Sequence, residues 1–268
     1  MKKMLCFTAL CAALAILCGS AMAQLSVRSL GTTVGPQVHS RPGAPPYCKP
    51  CLFYGGDWNN TDANWVLFAD GNVPSFGSSP ADIYSAFKVP AGKTWTVTGL
   101  FANVGFINTS VIDPSKPAWS IKKGIKAGIA GKVVAHGTTT GTVKATGRTA
   151  NSGAGPVVEY TVAVKKLPKA VTLKAGTYYE LVESPCTNTS DTACASALYF
   201  VSDTYDATGA HQGAHHFGPA EPKGLNFQNS TAFGLNYVQI NGAYCTSQGY
   251  PQPYGCNWIS DGVLGTQQ

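Results

Sequence analysis

Cys48-Lys49-Pro50-Cys51 has the two-residue spacing of a thiol oxidoreductase pair. That chemistry needs a helix N-terminus to depress the pKa of the first thiol. Here the pair follows Pro42-Gly43-Ala44-Pro45-Pro46 and precedes Leu52-Phe53-Tyr54-Gly55-Gly56, neither of which suits a helix, so a structural disulfide is the expectation. Asp57-Trp58-Asn59-Asn60-Thr61-Asp62 concentrates oxygen ligands in one turn. Asp57, Asn59 and Asp62 are therefore the candidate ligands of a hard cation, with Ca²⁺ as the cofactor they would take. The competing reading is an Asx-rich turn bonded to its own backbone. It is not an EF-hand, because Phe68 stands where the bidentate Glu belongs. His211, His215 and His216 fall within six residues, but Gly209, Gly213 and Gly218 make that segment a loop rather than a helix face.

Two surface chemistries are also encoded. Tyr244, Tyr250, Tyr254 and Trp258 lie in and around the stretch between Cys245 and Cys256, with Pro251, Pro253 and Gly255 among them. A stapled loop carrying flat rings with polar handles suits the apolar faces of sugars. Rings that cap the edge of a sheet are the other expectation. Lys122, Lys123, Lys165, Lys166 and Lys169 belong to a basic segment that could bind an acidic polysaccharide electrostatically. Lysines at strand ends also keep sheet edges from pairing with other chains. No aromatics interleave with these lysines in the way that stacks nucleobases, so nucleic acid is not an expected partner. No catalytic set can be named. There is no Gly-x-Ser-x-Gly elbow, and 13 acidic residues cannot be sorted into a glycosidase pair without geometry.

The N-terminus changes the charge and the cysteine count. Lys2 and Lys3 lead into an apolar run, Met4 to Cys18, and then Gly19-Ser20-Ala21-Met22-Ala23, the layout of a secretory signal cut after Ala23. Residues 1–23 are therefore read as a signal peptide and the mature chain as secreted, extracellular or periplasmic. No membrane span is expected after cleavage. Three cysteines leave with the signal. Cys48, Cys51, Cys186, Cys194, Cys245 and Cys256 remain, an even number that reads as disulfides in an exported chain. Proximity favours Cys186–Cys194 and Cys245–Cys256, leaving Cys48–Cys51, with a link from Cys48 or Cys51 to a distant loop as the alternative. Net charge falls from +6 to +4. Eleven basic residues between Lys116 and Lys174 face Glu159 alone, so that segment carries +10 and the remainder −6.

The elements that must position these residues are strands. With 30 Gly, 17 Pro and 12% charged residues among 268, a helical bundle is excluded, and 44% hydrophobic residues exclude disorder. Val158, Tyr160, Val162 and Val164 alternate with Glu159, Thr161, Ala163 and Lys165, and Trp95, Val97, Gly99 and Phe101 with Thr94, Thr96, Thr98 and Leu100. Further strands are predicted at 65–69, 83–89, 119–121, 125–129, 132–136, 142–146, 170–174, 177–182, 197–201 and 231–240. Pro90-Ala91-Gly92-Lys93 and Lys174-Ala175-Gly176 are turn signals between them. The expected fold is all-β: an antiparallel, jelly-roll-like β-sandwich with disulfide-stapled loops. Residues 24–47 read as an extended Pro/Gly-rich leader. Residues 48–268 read as a single domain that includes an aromatic C-terminal wrap.

Five segments carry a resemblance. Tyr54-Gly55-Gly56-Asp57, the run from Phe87-Lys88-Val89-Pro90-Ala91-Gly92 through Trp95 to Phe101, Trp119 to Gly124, Glu159-Tyr160-Thr161-Val162 and Ala175-Gly176-Thr177-Tyr178 resemble a group of exported bacterial β-sandwich proteins. The resemblance spans about Leu52 to Leu264. It implies a sandwich and an exported setting, and it carries over no catalytic residue. Some members end in an anchoring tail, whereas no long apolar run or basic residue follows Trp258-Ile259 here. The sequence thus predicts a secreted, non-catalytic binding or surface-structural module whose partner is a glycan or acidic polysaccharide. The alternatives are an extracellular polysaccharide hydrolase or a self-associating envelope protein. The oligomeric state is not encoded legibly.

Overall fold

The computed structural model describes residues 51–56, 69–70, 72–73, 79–106, 116–152, 155–183, 199–201, 217–219, 225–230, 234–241, 243 and 259–268. These residues form an all-β fold of thirteen hydrogen-bonded strands. They are β1 (Cys51–Tyr54), β2 (Ala69–Asp70), β3 (Asn72–Val73), β4 (Ser79–Phe106), β5 (Ala118–Lys123), β6 (Lys132–Thr138), β7 (Thr142–Ser152), β8 (Gly155–Val164), β9 (Val171–Glu183), β10 (Tyr199–Val201), β11 (Asn226–Ser230), β12 (Leu235–Ile240) and β13 (Asp261–Gln267). The main path runs β1-β13-β4-β9-β5-β6, and each of these pairings is antiparallel.

β4 organises the molecule. It pairs with β9 over Ser85 to Val97, with β8 over Leu100 to Phe106, with β13 over Trp95 to Ala102, and with β11 over Ala81 to Tyr84. The two predicted strands 83–89 and 94–101 are thus one element, as are 170–174 and 177–182. The turn signals between them face each other across the β4–β9 ladder. Val89 pairs with Gly176 and Thr94 with Lys174, leaving Pro90 to Lys93 as an excursion in β4 opposite Ala175. Gly92 (φ 73°) and Gly176 (φ 148°) supply conformations that L-residues avoid. A bulge of this kind re-aims a ribbon without ending it. Ser85 and Ala102 line one small cavity, although a straight strand would hold them roughly 55 Å apart at about 3.3 Å per residue. Phe87 stacks on Trp95 with ring centroids 6.0 Å apart and planes 2° from parallel. The β4–β9 ribbon therefore folds over itself at this corner.

Alternation then fills two sides of the ribbon. Phe87, Val89, Trp95, Val97, Leu100, Ala102 and Val104 of β4 enter the main core with Leu173, Tyr178 and Val182 of β9. Tyr84 and Ala86 point the other way, into a second core with Tyr179, Leu181, Phe227 and Tyr237. One expectation is corrected. Residues 125–129 are not a strand: Lys126 and Ile129 exchange backbone hydrogen bonds around Gly128 (φ 73°), closing a tight turn between β5 and β6. Of the expected C-terminal wrap, residues 244–258 lie outside the described residues, and Asp261–Gln267 form β13, a strand between β1 and β4 whose first five residues are buried. Gly262 and Gly265 let it approach, because a Cβ there would meet the Phe101 ring at 2.4 Å and Thr96 O at 2.1 Å.

Candidate functional site

The lysines of the basic segment are carried to the surface by the ladder described above. Lys88 pairs with Thr177, Thr94 with Lys174, and Lys123 with both Tyr178 and Lys132. Lys123 and Lys132 are directly paired on the β5–β6 ladder, one strand spacing of about 4.8 Å apart, on the face of Tyr178, while Lys88, Lys93 and Lys174 flank the corner at Pro90–Lys93. All five are exposed. Lys123 Nζ lies 5.2 Å from the Tyr178 ring centroid and 3.5 Å from where a Cβ on Gly176 would stand, so its stem lies along the corner. Lys165, Lys166 and Lys169 are exposed in the turn between β8 and β9, which Leu167 anchors by donating its N–H to Thr98 O at 2.7 Å. About 17 Å of β9, five residues at strand rise, separates Lys169 from Lys174.

Lys122 departs from the expected patch. It is 8% exposed, because alternation points it away from Lys123 and into the second core. Its Nζ donates to Tyr237 Oη at 2.7 Å and lies 4.2 Å from the Tyr84 ring centroid and 4.9 Å from that of Tyr237. Tyr84 Oη in turn donates to Asp82 Oδ2 at 3.1 Å. Burial pushes the Asp82 carboxyl above its ordinary range, against the opposing pull of the Tyr84 hydrogen bond and Lys122. The Tyr84 hydroxyl is pushed up by burial and then by the Asp82 charge. Tyr237 adopts φ 45°, the one positive φ among the described non-glycine residues, a strained geometry that persists where the surroundings over-determine it. This cluster clamps the β11–β12 hairpin to β5. It does not present a cation to solvent.

Sign of charge sorts by depth. Among residues whose side chains are described, every lysine except Lys122 is exposed and no carboxylate is. Glu159, Glu180 and Asp261 are buried, and Asp82 and Glu183 are half-buried. No protein-family model, curated protein or solved structure matches this chain. The site therefore rests on its own residues.

Several expectations lie outside the described residues. These are Tyr244, Tyr250, Tyr254 and Trp258; the cation ligands Asp57, Asn59 and Asp62; His211, His215 and His216; the signal and leader at 1–47; and Cys48, Cys186, Cys194, Cys245 and Cys256. Cys51 is described at the start of β1, where it is half-buried. No described helix is long and apolar enough to cross a membrane. Sequence reading missed Lys88, Lys93 and Lys174 as site residues. The signal for them was present: each flanks an Ala-Gly turn, and the two turns are sides of one corner.

Proposed function

We propose that the protein is an exported, non-catalytic β-sandwich module that binds acidic polysaccharide. The observation that carries this reading is the segregation of charge, with exposed lysines at the corner and the β8–β9 turn and no exposed carboxylate among the described side chains. A surface of one sign attracts a polyanion at long range, and a repeating acidic chain gains from each lysine it passes. The resemblance to exported β-sandwich proteins and the signal-like N-terminus support the compartment. The rings of Tyr244, Tyr250, Tyr254 and Trp258 would add stacking on sugar faces. Disulfides among the six mature cysteines would staple the loops.

Binding isotherms for a polyuronate, a sulfated polysaccharide and a neutral glucan test the reading. Affinity for the two acidic polymers should fall steeply as salt rises to roughly 0.5 M, where screening acts within a few ångströms. The neutral glucan should not bind. Equal binding of all three, or none of the acidic chains at low salt, overturns it.

Self-association has one observation in its favour. Among the described strands β6 pairs only with β5, and along it and the preceding turn Ile129, Val133 and Val134 are exposed at 54%, 46% and 39%. An apolar edge strand is a template for another chain. Light scattering over a concentration series on wild type and Val134→Lys would reveal such pairing as a mass increase that the variant loses.

A further inference from the structure

Three of the four large apolar side chains exposed among the described residues, Ile129, Val133 and Val134, fall between positions 129 and 134. They lie in and just after the turn between β5 and β6, the stretch Lys123-Gly124-Ile125-Lys126-Ala127-Gly128-Ile129-Ala130-Gly131-Lys132. Lys123, Lys126 and Lys132 are exposed there too, as are Ala127 and Ala130. No Asp or Glu occurs between Lys116 and Glu159. A turn in water is ordinarily polar throughout. This one carries apolar side chains between charges of a single sign.

The turn is a fixed projection. Ile125 is buried in the second core, and Tyr179 Oη donates to its carbonyl at 3.4 Å. The Gly128 N–H is shared between the carbonyls of Asn236 and Tyr237 on β12, at 3.2 and 3.3 Å. Lys126 and Ile129 exchange both backbone hydrogen bonds, at 3.1 and 2.8 Å, which sets their side chains on one side of the turn, about 5.5 Å apart at Cα. Lys123 and Lys132 pair directly below them. Val133 and Val134 follow Lys132 along β6 at about 3.3 Å per residue. Each exposed apolar side chain therefore stands beside a lysine.

The cover these residues call for must accept both chemistries. A second protein strand is disfavoured, because Ile121 pairs with Ala135 and Lys122 with Val133, leaving Val134 as the extra residue of a bulge. A bulged edge that begins with lysine is an arrangement that discourages strand addition. A polyanion in solution would use the lysines and leave the apolar side chains in water. The boundary of a bilayer uses both: apolar side chains enter between the headgroups and acyl chains, while lysine stems lie along them and carry their charge to anionic headgroups.

We propose that the β5–β6 turn docks the protein on an anionic lipid bilayer, with Ile129, Val133 and Val134 entering the interface and Lys123, Lys126 and Lys132 meeting the headgroup charge. The contact is peripheral, made by one turn and the start of one strand. It adds a second partner to the polysaccharide and does not depend on it.

Co-sedimentation isotherms of the chain from Gln24 onward test the proposal, with vesicles of phosphatidylcholine alone and of an equal mixture with phosphatidylglycerol. The anionic vesicles should bind the protein and the neutral ones should not. Ile129→Ser/Val133→Ser, which keeps every charge, should weaken vesicle binding at least about tenfold and leave polyuronate binding unchanged. Lys126→Ala/Lys132→Ala should weaken vesicle binding roughly 25-fold, at about fivefold per lysine. All four positions are exposed, so the urea midpoints of both variants should match wild type. Unchanged vesicle binding in the serine variant overturns the proposal, because charge alone then holds the protein. So does equal binding to neutral vesicles, or none to anionic ones. A mass increase in light scattering without lipid, lost in the serine variant, also overturns it, since a second copy then covers the apolar side chains.

Discussion

Lys122 and Lys123 are chain neighbours with opposite fates, and the period of a strand is the whole reason. Residue 122 points into the second core against Tyr84 and Tyr237, residue 123 into solvent. A lysine in a core survives because two ring faces and a hydroxyl replace its water. Removing it leaves Tyr237 Oη without its donor and Asp82 without its nearest described cation. Lys122→Met should therefore cost about 1–3 kcal/mol, as expected for a buried polar partner left unpaired, whereas Lys123→Met should stay within about 0.5 kcal/mol. Urea midpoints at fixed m-value measure the difference. Equal costs would mean that the clamp contributes nothing.

Asp261 sets a second residue-scale expectation. Burial pushes its carboxyl from 3.8 up to about 8, against the opposing hydrogen bond from Ser85. In the unfolded chain the proton leaves at the ordinary carboxylate pKa; in the folded chain it stays until about pH 8. Between those values the native state binds more protons, so stability falls as pH rises through that window and levels off above it. The protein should thus be more stable at pH 5 than at pH 8, and Asp261→Asn should flatten the slope. A stability that rises with pH across this range contradicts the assignment.

At the scale of elements, the sequence was most legible where alternation was regular and least where glycine interrupted it. β5, β8 and the two arms each of β4 and β9 follow from apolar–polar alternation. Ile125-Lys126-Ala127-Gly128-Ile129 has strand-like composition, yet three nearby glycines with positive φ, Gly124, Gly128 and Gly131, turn it into a tight reversal. β13 was illegible for the opposite reason. Asp261-Gly262-Val263-Leu264-Gly265 looks like a loop until its glycines are seen as points of contact with Phe101 and Thr96. Pro90–Lys93 and Lys174–Gly176 were readable as turns, but that they form one corner depends on long-range register. The two kinds of glycine should respond differently. Gly92→Ala meets nothing within 4 Å, so it should cost only the positive-φ penalty of about 1–2 kcal/mol. Gly265→Ala would drive a Cβ to 2.1 Å from Thr96 O, forcing β13 off β4. Its far-ultraviolet spectrum or urea transition should show loss of the native fold, while Gly92→Ala retains it.

Over the described residues, the charge imbalance read from the sequence acquires a direction. The carboxylates whose side chains are described lie inside or half inside, and the described lysines, Lys122 apart, lie outside. Eleven exposed lysines without exposed carboxylates among the described side chains repel one another, and that repulsion is strongest when the screening length exceeds their spacing. Pairing places Lys123 opposite Lys132, and Lys174 opposite the residue next to Lys93, each about one strand spacing or roughly 5 Å apart along the backbone, within the screening length of about 10 Å at 0.1 M salt. Simple salt should therefore stabilise the protein without ligand, with the melting temperature rising as sodium chloride increases from a few millimolar to roughly 0.5 M. An acidic polysaccharide should raise it most at low salt, because the same screening removes both the repulsion and the attraction. Lys93→Ala/Lys174→Ala should weaken the salt response and the polysaccharide response together, since both arise from the corner. A melting temperature that falls with salt would mean that attractive pairs dominate the surface, and the polyanion reading would lose its physical basis.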